Sequence, residues 1–392
     1  MTFSPFRIEI SDAVLDDLLL RLRRTRFTSR SGDQPWRTGA DPDYLRDLVA
    51  YWADGFDWRS REAELNAYPQ YLTEIDGRRL HFLRIPGKRP AGTPAPPPLL
   101  LSHGWPSSFV EMLPLADRLT DPGRYGGDPA DAFDVVVPSL PGFLYSDAPD
   151  GPVTREAMAR TLHLLMTEVL GHQRYGAFGG DIGGVVTGWL GARYPGHVTG
   201  IHLIHPPFPA SFDARPLAPA EQAFLDAEQR YDETDAGYSA IMGTRPDTIA
   251  AALVDSPAGL AGWMLDKYRD WSDCSGDLES RFDRDTLLTI VTLYWATGAI
   301  GSSFRQYVDF AHNRPRPDIT VPAAFTLSAE PAMVGFPREL AERACTDIRE
   351  WNLPGVGGHF MPLEEPDLLS GELRRFFGSV GTHDRRGGVG TH

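Results

Sequence analysis

The sequence predicts an α/β protein, a mostly parallel sheet flanked by helices, with a helical insertion and an N-terminal extension. Three observations point to it. Short continuous apolar runs, PLLLSHGW, AFDVVVPSLPG, RYGAFGGD, VTGIHLIHPP and PAAFTLSAEP, are separated by loops and helix-like segments, as parallel strands buried on both faces are. The strand signal disappears between about Pro207 and Arg314, then returns at Ala323 and near Ile348 to Leu353. One apolar run passes into a helix through a glycine-rich step, YGAFGGDIGG, from Tyr175 to Gly184.

Taken in order, the chain begins with SDAVLDDLLLRLRRTRF, whose leucine spacing suits an amphipathic helix with Ser11 and Asp12 as N-cap candidates. PQYLTEIDGRRLHFLRI alternates around Asp76-Gly77, a hairpin turn signal. The stretch 86–98 is too rich in proline for helix or central strand and reads as a loop. The division that follows is an N-terminal segment with the first strands (1–97), a core in two parts (98–206 and 315–378), a helical insertion (207–314) and a flexible tail (379–392).

Composition narrows the function. Of 392 residues, 42% are hydrophobic and 23% charged, ordinary usage that excludes disordered and fibrous classes. The net charge of -15 repels phosphate backbones, so no nucleic-acid partner is expected and a small neutral substrate fits better. Two cysteines, Cys274 and Cys345, without zinc-ligand spacing, suit a reducing cytoplasm. The first residues lack the pattern of a signal peptide. Thr286 to Phe304 is uncharged but rich in Thr, Ser and Gly, which reads as a buried core helix, and no membrane anchor is expected. A homo-oligomer is left open.

Chemistry concentrates at three places. Gly179-Gly180-Asp181-Ile182-Gly183 has the spacing of a nucleophile elbow with a carboxylate in the nucleophile position; the alternative is a helix N-cap in a glycine-rich turn. Ser102-His103-Gly104-Trp105-Pro106 ends an earlier strand, so the N–H of Trp105 and that of Ile182 are candidates for an oxyanion hole, with His103 read as a loop-fixing residue. Gly357-Gly358-His359-Phe360 follows the last strand and makes His359 the general-base candidate. Its acid partner lies between nucleophile and histidine in chain order, and by spacing both Glu339 and Glu330 fit.

These motifs resemble those of the microsomal-type epoxide hydrolases, enzymes of the α/β-hydrolase fold with a helical cap. The resemblance runs from Phe6 to about Phe377 and includes a long N-terminal string: Arg26-Phe27, Trp52, Phe56-Asp57-Trp58-Arg59, Glu62, Leu65-Asn66, Pro69-Gln70, Ile75-Asp76-Gly77 and His81-Phe82. In the insertion it includes Gly237-Tyr238, Thr244-Arg245-Pro246-Asp247-Thr248 and Ser302-Ser303-Phe304-Arg305-Gln306-Tyr307. Phe336-Pro337-Arg338-Glu339 is similar to the family's acid motif, which selects Glu339 over Glu330.

The resemblance implies an enzyme that converts an epoxide and water to a vicinal diol through an ester on Asp181. Tyr238 and Tyr307 would be the cap tyrosines on the epoxide oxygen, His359 with Glu339 would activate water, and no metal or organic cofactor would be needed. Many relatives carry Trp directly after the nucleophile where this chain has Ile182, which bears on pocket shape. The alternatives are a haloalkane dehalogenase, which Ile182 disfavours because it offers no indole N–H to a halide, and a catalytically silent binding protein of the same fold. A role in detoxification and one in secondary metabolism read alike.

Overall fold

The computed structural model describes residues 2–212 and 215–386. Its strands are β1 (Phe3–Phe6), β2 (Gln70–Ile75), β3 (Arg78–Ile85), β4 (Leu99–Ser102), β5 (Val135–Pro138), β6 (Tyr175–Gly179), β7 (Val198–Leu203), β8 (Ala323–Thr326) and β9 (Ile348–Asn352). They form one nine-stranded sheet in the order β1-β2-β3-β5-β4-β6-β7-β8-β9. From β5 to β9 all pairings are parallel, whereas β1, β2 and β3 join antiparallel. Every residue of β4 to β8 is buried, which is why those runs read as unbroken apolar stretches. This is the α/β-hydrolase fold expected above.

Asp76 and Gly77 both take positive φ, 52° and 74°, the backbone a two-residue hairpin turn with matching twist demands. Strand β1 was not anticipated. It pairs only with β2, and an edge position tolerates Pro5, which has no N–H to give the ladder. Phe3 packs edge-on against Tyr71 and Phe82, and so secures the strand.

The N-terminal helices are α1 (Asp12–Arg23), α2 (Pro42–Asp54) and α3 (Trp58–Leu65). Ser11 occupies the N-cap of α1 but makes no side-chain cap bond. The chain before it is held from α3 instead: Glu62 accepts the N–H of Ile10 (2.8 Å) and the indole N–H of Trp58 (3.2 Å), while Asn66 bonds both backbone groups of Ile8 (2.8 Å each). Gln70 continues the network, donating to the Leu65 carbonyl (2.7 Å) and meeting the His81 ring (3.0 Å). The polar members of the N-terminal motif therefore join the extension to the sheet.

Helices α4 (Leu113–Thr120), α5 (Arg155–Leu164) and α6 (Asp181–Arg193) connect the parallel strands. Between β7 and β8 come six more: α7 (Pro219–Asp235), α8 (Gly237–Thr244), α9 (Pro246–Asp255), α10 (Pro257–Trp271), α11 (Arg284–Thr297) and α12 (Ile300–Val308). The single core helix expected over 286–304 is two helices bent by 87°, because Gly298 takes φ 65° and caps α11. No single helix among the described residues is long and apolar enough to cross a membrane.

After β8 follow α13 (Arg338–Glu342), α14 (Met361–Glu364) and α15 (Pro366–Arg386). The tail expected from 379 onward differs: α15 continues to Arg386, since Val380 extends the buried stripe of Phe376 and Phe377 by one turn. Residues 387–392 lie outside the described residues.

Candidate active site

Five parallel strands each deliver one part of the site at their C-terminal ends, where open α/β sheets bind ligands. The loop after β4 brings Trp105, β6 brings Asp181, β7 brings His205, β8 brings Glu330 and β9 brings His359.

Asp181 sits at the first position of α6 with φ 50°, a left-handed conformation that L residues other than glycine rarely hold without support. The turn is that tight because strand and helix nearly touch: a Cβ on Gly183 would fall on the Ser102 carbonyl oxygen, and one on Gly104 would fall on the Asp181 carboxylate. One carboxylate oxygen, Oδ1, accepts the N–H of Trp105 at 2.8 Å. The first N–H to bond back within α6 is that of Gly184, to Gly180 at 2.8 Å, so the Ile182 N–H has no acceptor inside the helix. Of the two expected oxyanion donors, the Trp105 N–H is on the carboxylate and the Ile182 N–H is left outside the helix ladder, and an N-cap reading of Asp181 does not hold, since Gly180 is the N-cap.

His103 is buried, and its Nε2 accepts the Leu140 N–H (3.1 Å). The proton must then lie on Nδ1, which donates to the Gly104 carbonyl (3.0 Å). Burial pulls its pKa down to about 4, so it is a neutral residue that fixes the loop.

His359 is buried, and its Nδ1 is hydrogen-bonded to Glu330 rather than Glu339. Glu339 is exposed, in the first turn of α13. The reason is topological. The Ala329 N–H donates to the Gly357 carbonyl at 2.7 Å, tying the loop after β8 to the histidine loop and leaving Glu330 beside the ring, while Glu339 lies beyond a turn and on the surface. Burial works against ionisation of Glu330, but His359 and then His205 outweigh it and hold the carboxyl far below its ordinary range. Burial likewise opposes the charged form of His359, yet Glu330, Asp181 and Glu111 lift it to about 9.

From the other side, α8 brings Tyr238 and α12 brings Tyr307. Trp105 stacks on Tyr238 (ring centroids 5.5 Å, planes 7° apart) and meets Tyr307 edge-on at 6.0 Å. The two phenol rings lie 6.1 Å from each other. Burial raises both hydroxyls well above the ordinary tyrosine range; for Tyr307 the Asp181 charge comes next, and for Tyr238 it follows that of Tyr307. Both phenols are therefore protonated donors at neutral pH, and both lie within the field of the Asp181 carboxylate.

Three residues were missed from the sequence. His205, two positions past β7, accepts the Asp181 N–H on Nδ1 at 2.6 Å, with Nε2 3.2 Å from Glu330 Oε1. Its place at a strand's C-terminal end was the available signal. Glu364 accepts the N–H groups of Gly358 (2.9 Å), Phe360 (3.0 Å) and Asp273 (2.7 Å), and the His359 N–H donates to the Trp271 carbonyl at 2.8 Å. The histidine loop thus hangs from the end of α10. Glu111 is buried near His359, and burial pushes its carboxyl up to about 8. Nothing in local sequence marks either glutamate as buried.

Among the described residues, His205, Glu330 and His359 form a group whose ligand-type atoms lie within 4.8 Å of one another. In this arrangement the carboxylate already bridges the two imidazoles. A surface cleft of about 300 Å³ elsewhere is lined by Asp76, Arg79, Asp147 and Arg160, which are paired among themselves, and it includes none of the site residues.

Known proteins resemble this chain over nearly its whole length. Residues 3–112 match the family described as epoxide hydrolase N terminus, and residues 97–237 match the alpha/beta hydrolase fold. A relative from Stigmatella aurantiaca (strain DW4/3-1) is 38% identical over 383 residues, covering 95% of this chain and 84% of its own. Epoxide hydrolase 1 of Sus scrofa is 33% identical over 409 residues, covering 95% of this chain and 88% of its own. Among solved structures, juvenile hormone epoxide hydrolase from the silkworm Bombyx mori superposes with a TM-score of 0.87 at 25% identity, over 97% of this chain and 95% of that one. Matched at this identity over nearly its whole length, the chain belongs to the microsomal-type epoxide hydrolases of the α/β-hydrolase fold.

Proposed function

We propose that this epoxide hydrolase opens its substrate with Asp181 and frees the diol with His359. An epoxide is strained, but its leaving group is an alkoxide, so opening needs a nucleophile at carbon and a proton at oxygen. The Asp181 oxygen not held by Trp105 attacks a ring carbon. The C–O bond breaks toward the ring oxygen, which takes a proton from Tyr238 or Tyr307 and leaves a hydroxyalkyl ester. His359, oriented by Glu330, then removes a proton from water. The hydroxide adds to the ester carbonyl, and the Trp105 and Ile182 N–H groups stabilise the oxyanion. As the intermediate collapses, the departing diol oxygen takes the proton from His359, and the proton left on Asp181 restores the tyrosine. The segment 207–314 acts as a cap that carries both phenols over the elbow.

The observation that carries this reading is a carboxylate, not a hydroxyl, at the strained elbow with one oxygen already on an oxyanion donor. The rings of Tyr238, Trp271, Phe304 and Tyr307 gathered on Trp105, whose N–H holds that oxygen, favour an epoxide on an apolar skeleton. Two buried, unpaired cysteines support a reducing, cytoplasmic setting.

Isotope placement tests the covalent route. With enzyme in excess over substrate in oxygen-18 water, the first-turnover diol is expected to be largely unlabelled and the peptide containing Asp181 labelled. Direct attack of water would label the diol at once and leave the peptide unlabelled, reducing Asp181 to a general base.

Single substitutions of Tyr238 or Tyr307 by Phe are expected to slow ester formation by roughly a hundredfold, about what one donor aimed at developing charge is worth. The double variant should be nearly inactive. Wild-type rates of ester formation in both single variants would make the phenols structural.

The acid assignment separates two glutamates. Glu330→Gln is expected to slow ester hydrolysis by at least about a hundredfold, as loss of the group orienting a catalytic histidine does, while exposed Glu339→Gln changes it less than about twofold. The opposite pattern would restore Glu339.

A further inference from the structure

We propose that His205 is a positioning residue that links the backbone of the nucleophile to the acid of the base, so that each of its nitrogens serves a different half-reaction. The proposal rests on the two-step reading above. His205 Nδ1 accepts the Asp181 N–H at 2.6 Å, and a nitrogen that accepts carries no proton. The single proton of the neutral ring is therefore on Nε2, which lies 3.2 Å from Glu330 Oε1, a polar approach without hydrogen-bond alignment. The other oxygen of Glu330, Oε2, takes the Nδ1–H of His359. The two imidazoles stand 4.8 Å apart at 34°, with one carboxylate between them.

Each contact answers a local need. Asp181 is held at φ 50°, and its N–H, the first of α6, has no acceptor within the helix. A ring nitrogen supplied by β7, the neighbouring strand, satisfies that donor and sets the direction in which the carboxylate leaves the backbone. Glu330 is buried, and a carboxylate anchored by one oxygen only could rotate about its axis. The buried Nε2–H of His205, 3.2 Å from Oε1 and without another acceptor, favours the orientation that keeps Oε2 on His359. Loss of Nδ1 should thus disturb attack on the epoxide, and loss of Nε2 should disturb hydrolysis of the ester.

The two contacts can be removed separately in the full-length protein. In His205→Asn the amide oxygen takes the place of Nδ1 and the reach to Glu330 is lost. In His205→Gln the amide nitrogen takes the place of Nε2 and the Asp181 N–H loses its acceptor. Single-turnover rates of ester formation and decay would be followed by intact-protein mass spectrometry, using an epoxide that the wild type turns over, chosen from styrene oxide and simple aliphatic epoxides.

His205→Asn should form the ester within about threefold of wild type and hydrolyse it roughly tenfold or more slowly, the scale of one lost polar contact with a charged group. His205→Gln should show the reverse, and His205→Phe should lose both. Equal effects of Asn and Gln on the two steps, or wild-type rates in His205→Phe, would overturn the proposal; if the Phe variant fails to fold, the other two still decide. Should wild type itself form no ester on Asp181, the two-step reading fails, and the proposal with it. Should wild type form the ester and the variants show no split, His205 alone loses its role.

Discussion

Asp181→Ala is expected to abolish diol formation, lowering kcat by about five orders of magnitude or more, the scale on which a covalent nucleophile is lost. Nothing else in the site can take over. The remaining carboxyl groups are engaged elsewhere: Glu330 bridges His205 and His359, Glu364 holds three backbone N–H groups, and burial keeps Glu111 largely protonated at neutral pH, with a pKa of about 8. Stability should change little, by about 3 °C in Tm or less, because the half-buried side chain makes one hydrogen bond to the Trp105 N–H and packs no core. Circular dichroism and a thermal melt check the fold, and a sensitive diol assay checks the chemistry. Substantial turnover by purified, folded variant would remove Asp181 from the nucleophile position.

His359→Gln is expected to separate the two steps. Ester formation needs Asp181 and a phenol but no base, so it should proceed, while hydrolysis slows by about a thousandfold. Intact-protein mass spectrometry should then find a stable adduct of substrate mass on the peptide containing Asp181. The pH dependence of the wild type follows from the same residue. His359 is lifted to about 9 against the effect of burial, chiefly by Glu330 with Asp181 behind it. Only the neutral ring can accept a proton, so ester hydrolysis should rise with pH through the histidine's pKa and then level off. Esterification removes the charge of Asp181, so the midpoint should fall below about 9. In Glu330→Gln it should move further, toward the ordinary value of about 6.5. A hydrolysis rate that falls as pH rises over this range would exclude His359 as the base.

The contrast between Glu339 and Glu330 shows where sequence reading stopped. A Phe-Pro-x-Glu motif selected Glu339, and motif similarity is blind to which glutamate the fold brings to the histidine. In this chain the turn after β8 leaves Phe336 packed on Phe224 and against Trp351, which uses the motif's aromatic residue for the core and puts its glutamate on the surface. Glu330 meets His359 because it stays near the end of β8, beside the loop that follows the next strand. His205 was missed for a related reason. A histidine's role depends on what its two nitrogens meet, and both partners here come from other segments, after β6 and β8, the strands on either side of β7.

Sequence alone determined the fold class and the helical insertion, and it marked Asp181, His359, Trp105 and Ile182 as candidates, because these are encoded locally, in periodicity or in a short motif with its own backbone demand; Tyr238 and Tyr307 became candidates only through the family resemblance. Tertiary structure decided that Glu330 and not Glu339 meets His359, that His205 lies between the Asp181 N–H and Glu330, that Glu364 suspends the histidine loop from α10, and that the uncharged run at 286–304 bends at Gly298. Those outcomes depend on which strand ends and loops come to lie side by side, and on which polar groups lose water there. Burial and partnership of that kind are properties of contacts between segments far apart in the chain, and no single stretch of sequence carries them.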